Sequence, residues 1–147
     1  PGAFGENLST IGLTEADVAI GDVFRLGDAV IEVSQGRQPC WKLNHRFDQP
    51  DMALRVQRSG RMGWYYRVVQ EGAASPEAAL ELLDRRTPDW SLQRLWRVLY
   101  VDTLDRDELT AMAALPHLPE NWRRLAERRL ATRAVESWAS RLRVPER

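Results

Sequence analysis

A mainly β first part followed by a bundle of three helices is the fold that this 147-residue sequence predicts, on three observations. Runs of β-branched and aromatic residues bounded by Gly-Asp turns are confined to the first 87 residues. Three amphipathic stripes follow the breaker Thr87-Pro88-Asp89. The charge also changes sign: residues 1–84 carry 8 basic and 12 acidic side chains, net −4, and residues 85–147 carry 13 and 9, net +4. The two parts are therefore read as 1–87 and 88–147, with different work to do.

Taken in order, Pro1 to Leu8 form a Gly-rich turn with one aromatic anchor, Phe4, and polar Glu6 and Asn7 at its end. It lacks the Lys-Ser or Lys-Thr of a phosphate-binding loop. Gly21-Asp22 turns the chain into Val23–Leu26, and Gly27-Asp28 turns it again into the β-branched strand Ala29–Val33, giving a hairpin. Pro50 opens a helix of about two turns ending at Gly60. Gly63–Val69, rich in aromatic and β-branched residues, is a strand. Ser75–Leu83 is ambiguous: Ser75 and Pro76 suit a helix N-terminus, whereas the alternation of Leu80 and Leu82 with Glu81 permits a strand.

In the second part, Leu92, Leu95, Trp96 and Leu99 have helical spacing. Asp105 with Glu108 is an acidic analogue of the capping box and opens a second helix over Leu109 and Met112. Pro119 starts a third, carrying Trp122, Leu125, Arg129 and Leu130. Ala134–Leu142 is read as a further helical segment with Trp138 buried.

Composition narrows the function. No apolar run reaches the roughly 18 residues needed to span a bilayer, and the N-terminus has no signal-peptide pattern, so a soluble, cytoplasmic protein without a membrane partner is expected. The single cysteine excludes an internal disulfide. With only His45 and His117 beside it, a structural zinc site is disfavoured. The start at Pro1-Gly2, with no initiator Met, is read as that of a C-terminal fragment.

The stretch Arg37-Gln38-Pro39-Cys40-Trp41-Lys42-Leu43-Asn44-His45 holds the only cysteine and the only lysine among 21 basic residues. In an extended segment Cys40 and Lys42 share a face. An ammonium beside a thiol favours the thiolate, the form that attacks electrophiles and ligates metals. The alternative is a small buried hydrophobe at Cys40 and a solvated charge at Lys42.

Several blocks in order carry a resemblance. Pro1–Thr14 with its glycines, Gly21-Asp22, Val33-Ser34-Gln35 and Arg37-x-Pro39-Cys40-x-Lys42-Leu43-Asn44 resemble the C-terminal half of a MOSC domain. Ser59-Gly60-Arg61-x-Gly63-Trp64-x-Tyr66-Arg67-Val68 and Arg128-Arg129-Leu130 resemble the bacterial YiiM branch of that superfamily. The resemblance implies a β-barrel-like MOSC domain, here its C-terminal half, followed by a three-helix domain, and so makes residues 79–83 a strand. It also implies the molybdenum cofactor, a molybdopterin, with Cys40 as the protein thiolate on the metal; soft sulfur suits such a metal. Asn7 matches a polar position near the metal. Lys42 would keep the sulfur deprotonated or neutralise the cofactor, and Asn44 and Arg37 join the set by proximity. The family's His-Gly-Gly segment lies in the half that is not in this sequence, and His45 is read as structural.

The implied activity is reduction of N-hydroxylated small molecules such as 6-hydroxylaminopurine, with electrons from an external flavin or iron-sulfur protein. A second reading makes Cys40 a persulfide sulfur carrier with Lys42 stabilising its anion. A third makes the helical tail, with Arg123, Arg124, Arg128, Arg129 and Arg133, a helix-turn-helix nucleic-acid module; it is disfavoured, since Arg replaces Lys throughout the chain.

Overall fold

Two glycine-first turns set up the sheet. Gly27 (φ 60) begins a two-residue loop between strand β1 (Val23–Leu26) and strand β2 (Ala29–Gly36), as hairpin loops of this length require. A Cβ at Gly27 would also lie 2.4 Å from the Ala73 carbonyl oxygen, so no larger residue fits. In this computed structural model, which describes residues 2–143, β2 runs beyond the expected Val33 to Gly36. Its register with strand β3 (Trp64–Gln70) shifts between Val33 and Gln35, and Ser34 Oγ donates to the Tyr65 carbonyl across that irregularity. Strand β4 (Leu80–Asp84) pairs with β1, so the order is β3-β2-β1-β4 with every pair antiparallel. The sheet is open and not a closed barrel. Strands β3 and β4 are its edges.

Between β2 and β3 the chain forms two short helices, α1 (Lys42–Arg46) and α2 (Met52–Ser59), the latter stopped by Gly60 in the left-handed region (φ 71). The expected extended run from Cys40 to Lys42 is therefore corrected. The Cys40 carbonyl accepts from Leu43 N–H (2.9 Å) and the Trp41 carbonyl from Asn44 N–H (2.9 Å), so the chain winds into a turn as soon as it passes the thiol. Among the described residues no strand pairs with it to hold it extended.

Helices α3 (Leu92–Tyr100), α4 (Arg106–Ala113) and α5 (Glu120–Thr132) cover one face of the sheet. Ser91 caps α3 through Arg94 N–H, and Asp105 caps α4 through the N–H groups of Asp107 and Glu108 (both 3.0 Å). Glu108 does not complete a capping box: its carboxylate turns to Arg94 (2.7 and 2.9 Å). Pro119 stands just outside α5, with ψ 140. The last segment is also corrected, since only α6 (Ala139–Leu142) is helical and Trp138 is half-buried. The reason is Arg133, whose left-handed conformation (φ 52) ends α5 and turns the chain back.

A single core joins the two parts. Phe24, Ile31 and Val33 from the sheet pack with Leu95, Leu99, Met112 and Trp122 from the helices. Backbone bonds stitch the same seam: Ile20 N–H to the Trp90 carbonyl (3.1 Å), and Leu92 N–H to that of Val18 (2.8 Å). Trp96 Nε1 donates to the Gln57 carbonyl (2.6 Å), tying α3 to α2. Among the described residues no helix is long and apolar enough to cross a membrane.

Candidate active site around Cys40

Cys40 lies on the connection between β2 and α1, a free and half-buried thiol preceded by fully buried Pro39. Three parts of the fold grip this connection. From the sheet side, Arg37 N–H donates to the Gly63 carbonyl (2.8 Å). From α3, the Tyr100 hydroxyl accepts from Gln38 Nε2 (3.4 Å). From the C-terminal segment, the Arg141 carbonyl accepts from Trp41 N–H (2.6 Å), and Arg141 Nη2 donates to the Gln38 carbonyl (3.3 Å). Burial pushes the Tyr100 hydroxyl's pKa up, beyond what the Gln38 hydrogen bond lowers it, so it is neutral at physiological pH.

The candidates from the sequence occupy unequal places. Lys42 opens α1 and is exposed, and Arg37 is half-buried; neither cation makes an ion pair among the described residues. Asn44 is buried and fully engaged, its Oδ1 accepting from Ala53 N–H (2.8 Å) and its Nδ2 donating to the Leu142 carbonyl (2.9 Å). It holds α1 to α2 and to the C-terminal segment. His45 is exposed at the end of α1.

Asn7 is exposed and lines a groove of about 970 Å³ with Leu13, Phe24, Ala79, Leu82 and Arg85, among others. Cys40, Lys42, Arg37 and Asn44 do not line it. The Gly-rich turn nevertheless reaches the thiol's helix. Arg46 donates to the carbonyls of Gly2 (2.9 Å) and Ala3, and the Phe4 and Phe47 rings lie 4.8 Å apart. Phe4 was readable as the anchor of the turn, but its partners Arg46 and Phe47 were missed in the sequence, since they lie more than forty positions away.

The donors present suit a metal that brings its own ligand. Among the described residues no group of three or more His, Cys, Asp or Glu side chains converges to hold an ion. A metal carried by an organic ligand needs only one soft protein donor, which Cys40 can be.

Residues 1–88 match the MOSC domain family. The chain belongs to that family. Residues 90–133 match the YiiM-like, 3-alpha helix domain, which covers α3 to α5 of this MOSC protein. The chain is similar to protein YiiM of Escherichia coli, with 41% identity over 140 residues, 95% of this chain and 62% of that protein. It thus spans less than two thirds of this curated relative. A protein of Gibberella moniliformis named Reductase is 40% identical over 78% of the chain and 21% of its own length. The crystal structure of Escherichia coli YiiM superposes with a TM-score of 0.89 at 40% identity, over 96% of this chain and 70% of that one.

Proposed function

We propose that this MOSC chain works in a molybdenum-cofactor-dependent reductase of N-hydroxylated compounds such as 6-hydroxylaminopurine, with Cys40 as the protein thiolate to the metal. The observation that carries it is the placement of the only thiol: half-buried, on a short connection gripped from three sides, with Arg37 and Lys42 close in sequence and free of ion pairs among the described residues. Similarity to YiiM and to a protein named Reductase supports the same reading.

The balanced reaction takes R–NHOH, two electrons and two protons to R–NH₂ and water. When bound, the molybdenum cofactor supplies the two-electron cleavage of the N–O bond, and an external flavin or iron-sulfur protein replenishes the electrons. The chain holds and orients. Cys40 would supply one thiolate donor to the metal, and the cations of Arg37 and Lys42 would offset the negative charge of a pterin phosphate.

Metal analysis of the purified full-length protein is the test, with Cys40→Ala expected to lose both molybdenum and turnover. Full molybdenum content in that variant would remove Cys40 from the coordination sphere. A sulfur adduct on Cys40, with turnover in molybdenum-free protein, would make the thiol a persulfide carrier instead.

Lys42→Met separates charge from structure. Because Lys42 is exposed and makes no hydrogen bond or ion pair among the described residues, its loss should change stability by less than about 0.5 kcal/mol. Molybdenum bound per folded molecule should fall. A large drop in thermal midpoint with unchanged metal content would make Lys42 structural.

A further inference from the structure

After α5 the chain does not leave the molecule. Residues 134–142 run back over the connection that carries Cys40 and are fastened at three successive points. Glu136 binds the buried Arg129 guanidinium (2.5 and 3.0 Å). The Trp138 ring packs on that of Tyr100, with centroids 5.3 Å apart. The carbonyls of Arg141 and Leu142 then accept from Trp41 N–H and Asn44 Nδ2. Gln38 is held by Arg141 and Tyr100, so positions 38, 41 and 44 are each fixed directly by this strap or by the residue its tryptophan covers. Cys40 lies between them.

The chemistry explains why the connection needs it. The N–H of Trp41 finds its acceptor in the strap and not in a strand ladder, and an unmade bond there leaves a polar group to be satisfied. Helix α1 has five residues, far below the length that holds a helix by itself. The turn after the thiol is therefore stable only while something outside it supplies partners.

We infer that residues 134–142 are the positioning element of Cys40, with Trp138 as its pin, and that their closure sets the orientation and exposure of the thiol. The inference rests on Cys40 being the working residue, as proposed above. Trp138 does not touch the reacting atoms; it acts through Tyr100, Gln38 and the backbone on either side of the cysteine.

The test uses the chain of this sequence, in which Cys40 is the only thiol and a label reports one site. With 5,5′-dithiobis(2-nitrobenzoate), Trp138→Ala should react about tenfold faster than the unaltered chain, the effect of weakening closure by about 1.4 kcal/mol. Trp138→Phe, which keeps a ring on Tyr100, should stay within about twofold. In hydrogen exchange of Trp138→Ala, the Trp41 amide should lose protection while that of Val33, bonded to the Asp22 carbonyl in the core, keeps its own.

An unchanged labelling rate, or loss of protection at Trp41 and Val33 together, overturns the inference. Should Trp138→Ala not fold, the unaltered chain decides: the amides of Trp41, Arg141 and Leu142 should open with one free energy. A Trp41 amide that stays protected while those of Arg141 and Leu142 exchange overturns it equally. None of these readouts needs a metal, so they judge the strap separately from the ligand assignment, which the molybdenum content of Cys40→Ala judges.

Discussion

In the sheet half the most deeply buried member of any ion pair is an acid, and in the helical half it is a base. Asp22 is 0% exposed and takes Arg85 in a two-pronged pair (3.1 and 2.8 Å), while Arg85 itself is 37% exposed. Glu32 is likewise buried between the outer guanidiniums of Arg67 and Arg86. Arg129 inverts the pattern: it is 0% exposed and its partner Glu136 is 21% exposed. Each arrangement follows from what the local backbone lacks. A tight turn has spare N–H groups, and Asp22 accepts one from Ala19 (2.9 Å). A helix end has spare carbonyls, which only a donor-rich group satisfies. Arg129 donates to those of Val98, Leu99 and Thr103 at the end of α3, and Arg123 to those of Ala113 and Leu115 after α4. Much of the positive charge of the second part is thus architectural, and two of the five arginines read as a nucleic-acid face are turned inward.

The sharpest way to break the contrast is Arg129→Met. It leaves three carbonyls and a carboxylate without their donor, which should cost about 3–5 kcal/mol in urea unfolding. The sheet-side counterpart, Arg85→Met, strands Asp22 with the Ala19 N–H alone. A cost of about 2–3 kcal/mol is expected, smaller because water already reaches Arg85. Equal costs would mean that which partner is buried does not matter.

Acid probes the helical pair. Burial opposes ionisation of Glu136, but the hydrogen bonds from Arg129 and its own backbone outweigh it and hold the carboxyl below its ordinary 4.5. A depressed folded value gives stability that is complete above pH 4.5 and is lost as pH falls through the folded value. Glu136→Gln should therefore be less stable by about 1.5 kcal/mol at pH 7, and the gap should shrink as the pH is taken below 4.5. Glu6 and Asp17, also held low by local hydrogen bonds, are common to both proteins and cancel in the difference. A gap independent of pH would show that the Glu136 charge contributes nothing.

The two halves were not equally legible. The β1-β2 hairpin was readable because a two-residue Gly-Asp loop between β-branched runs is a strong local signal. Strand β4 was not, since Leu80–Asp84 has helical propensity and becomes a strand only by pairing with β1, more than fifty residues away; the family resemblance placed it there. The shared face of Cys40 and Lys42 supposed an extended segment, yet consecutive burial of Leu43 and Asn44 belongs to a turn packed on two sides. The inward role of Arg129 had a visible cue, because it falls on the apolar stripe of Trp122 and Leu125. The fastening of Asn44 to Leu142, 98 residues apart, had none.

The smallest expected effect tests the outer face of α5. Arg124 pairs only with Glu120, one turn away, and Arg128 is exposed with no ion pair among the described residues. Reversing both to Glu trades one surface pair for a repulsive one and should change stability by about 0.5 kcal/mol or less. If this face guides an acidic electron-transfer protein, as the proposed reductase requires of some surface, the double variant should slow turnover with the protein donor. The deficit should grow at low ionic strength, where steering is strongest. Turnover with a small artificial reductant should fall far less, because among the described residues neither side chain hydrogen-bonds or ion-pairs with the Cys40 connection or the strap, Arg128 adding only its field at Glu136. Equal loss with both reductants would place the defect at the thiol or in the fold, and the outward arginines of α5 would then be as architectural as the inward ones.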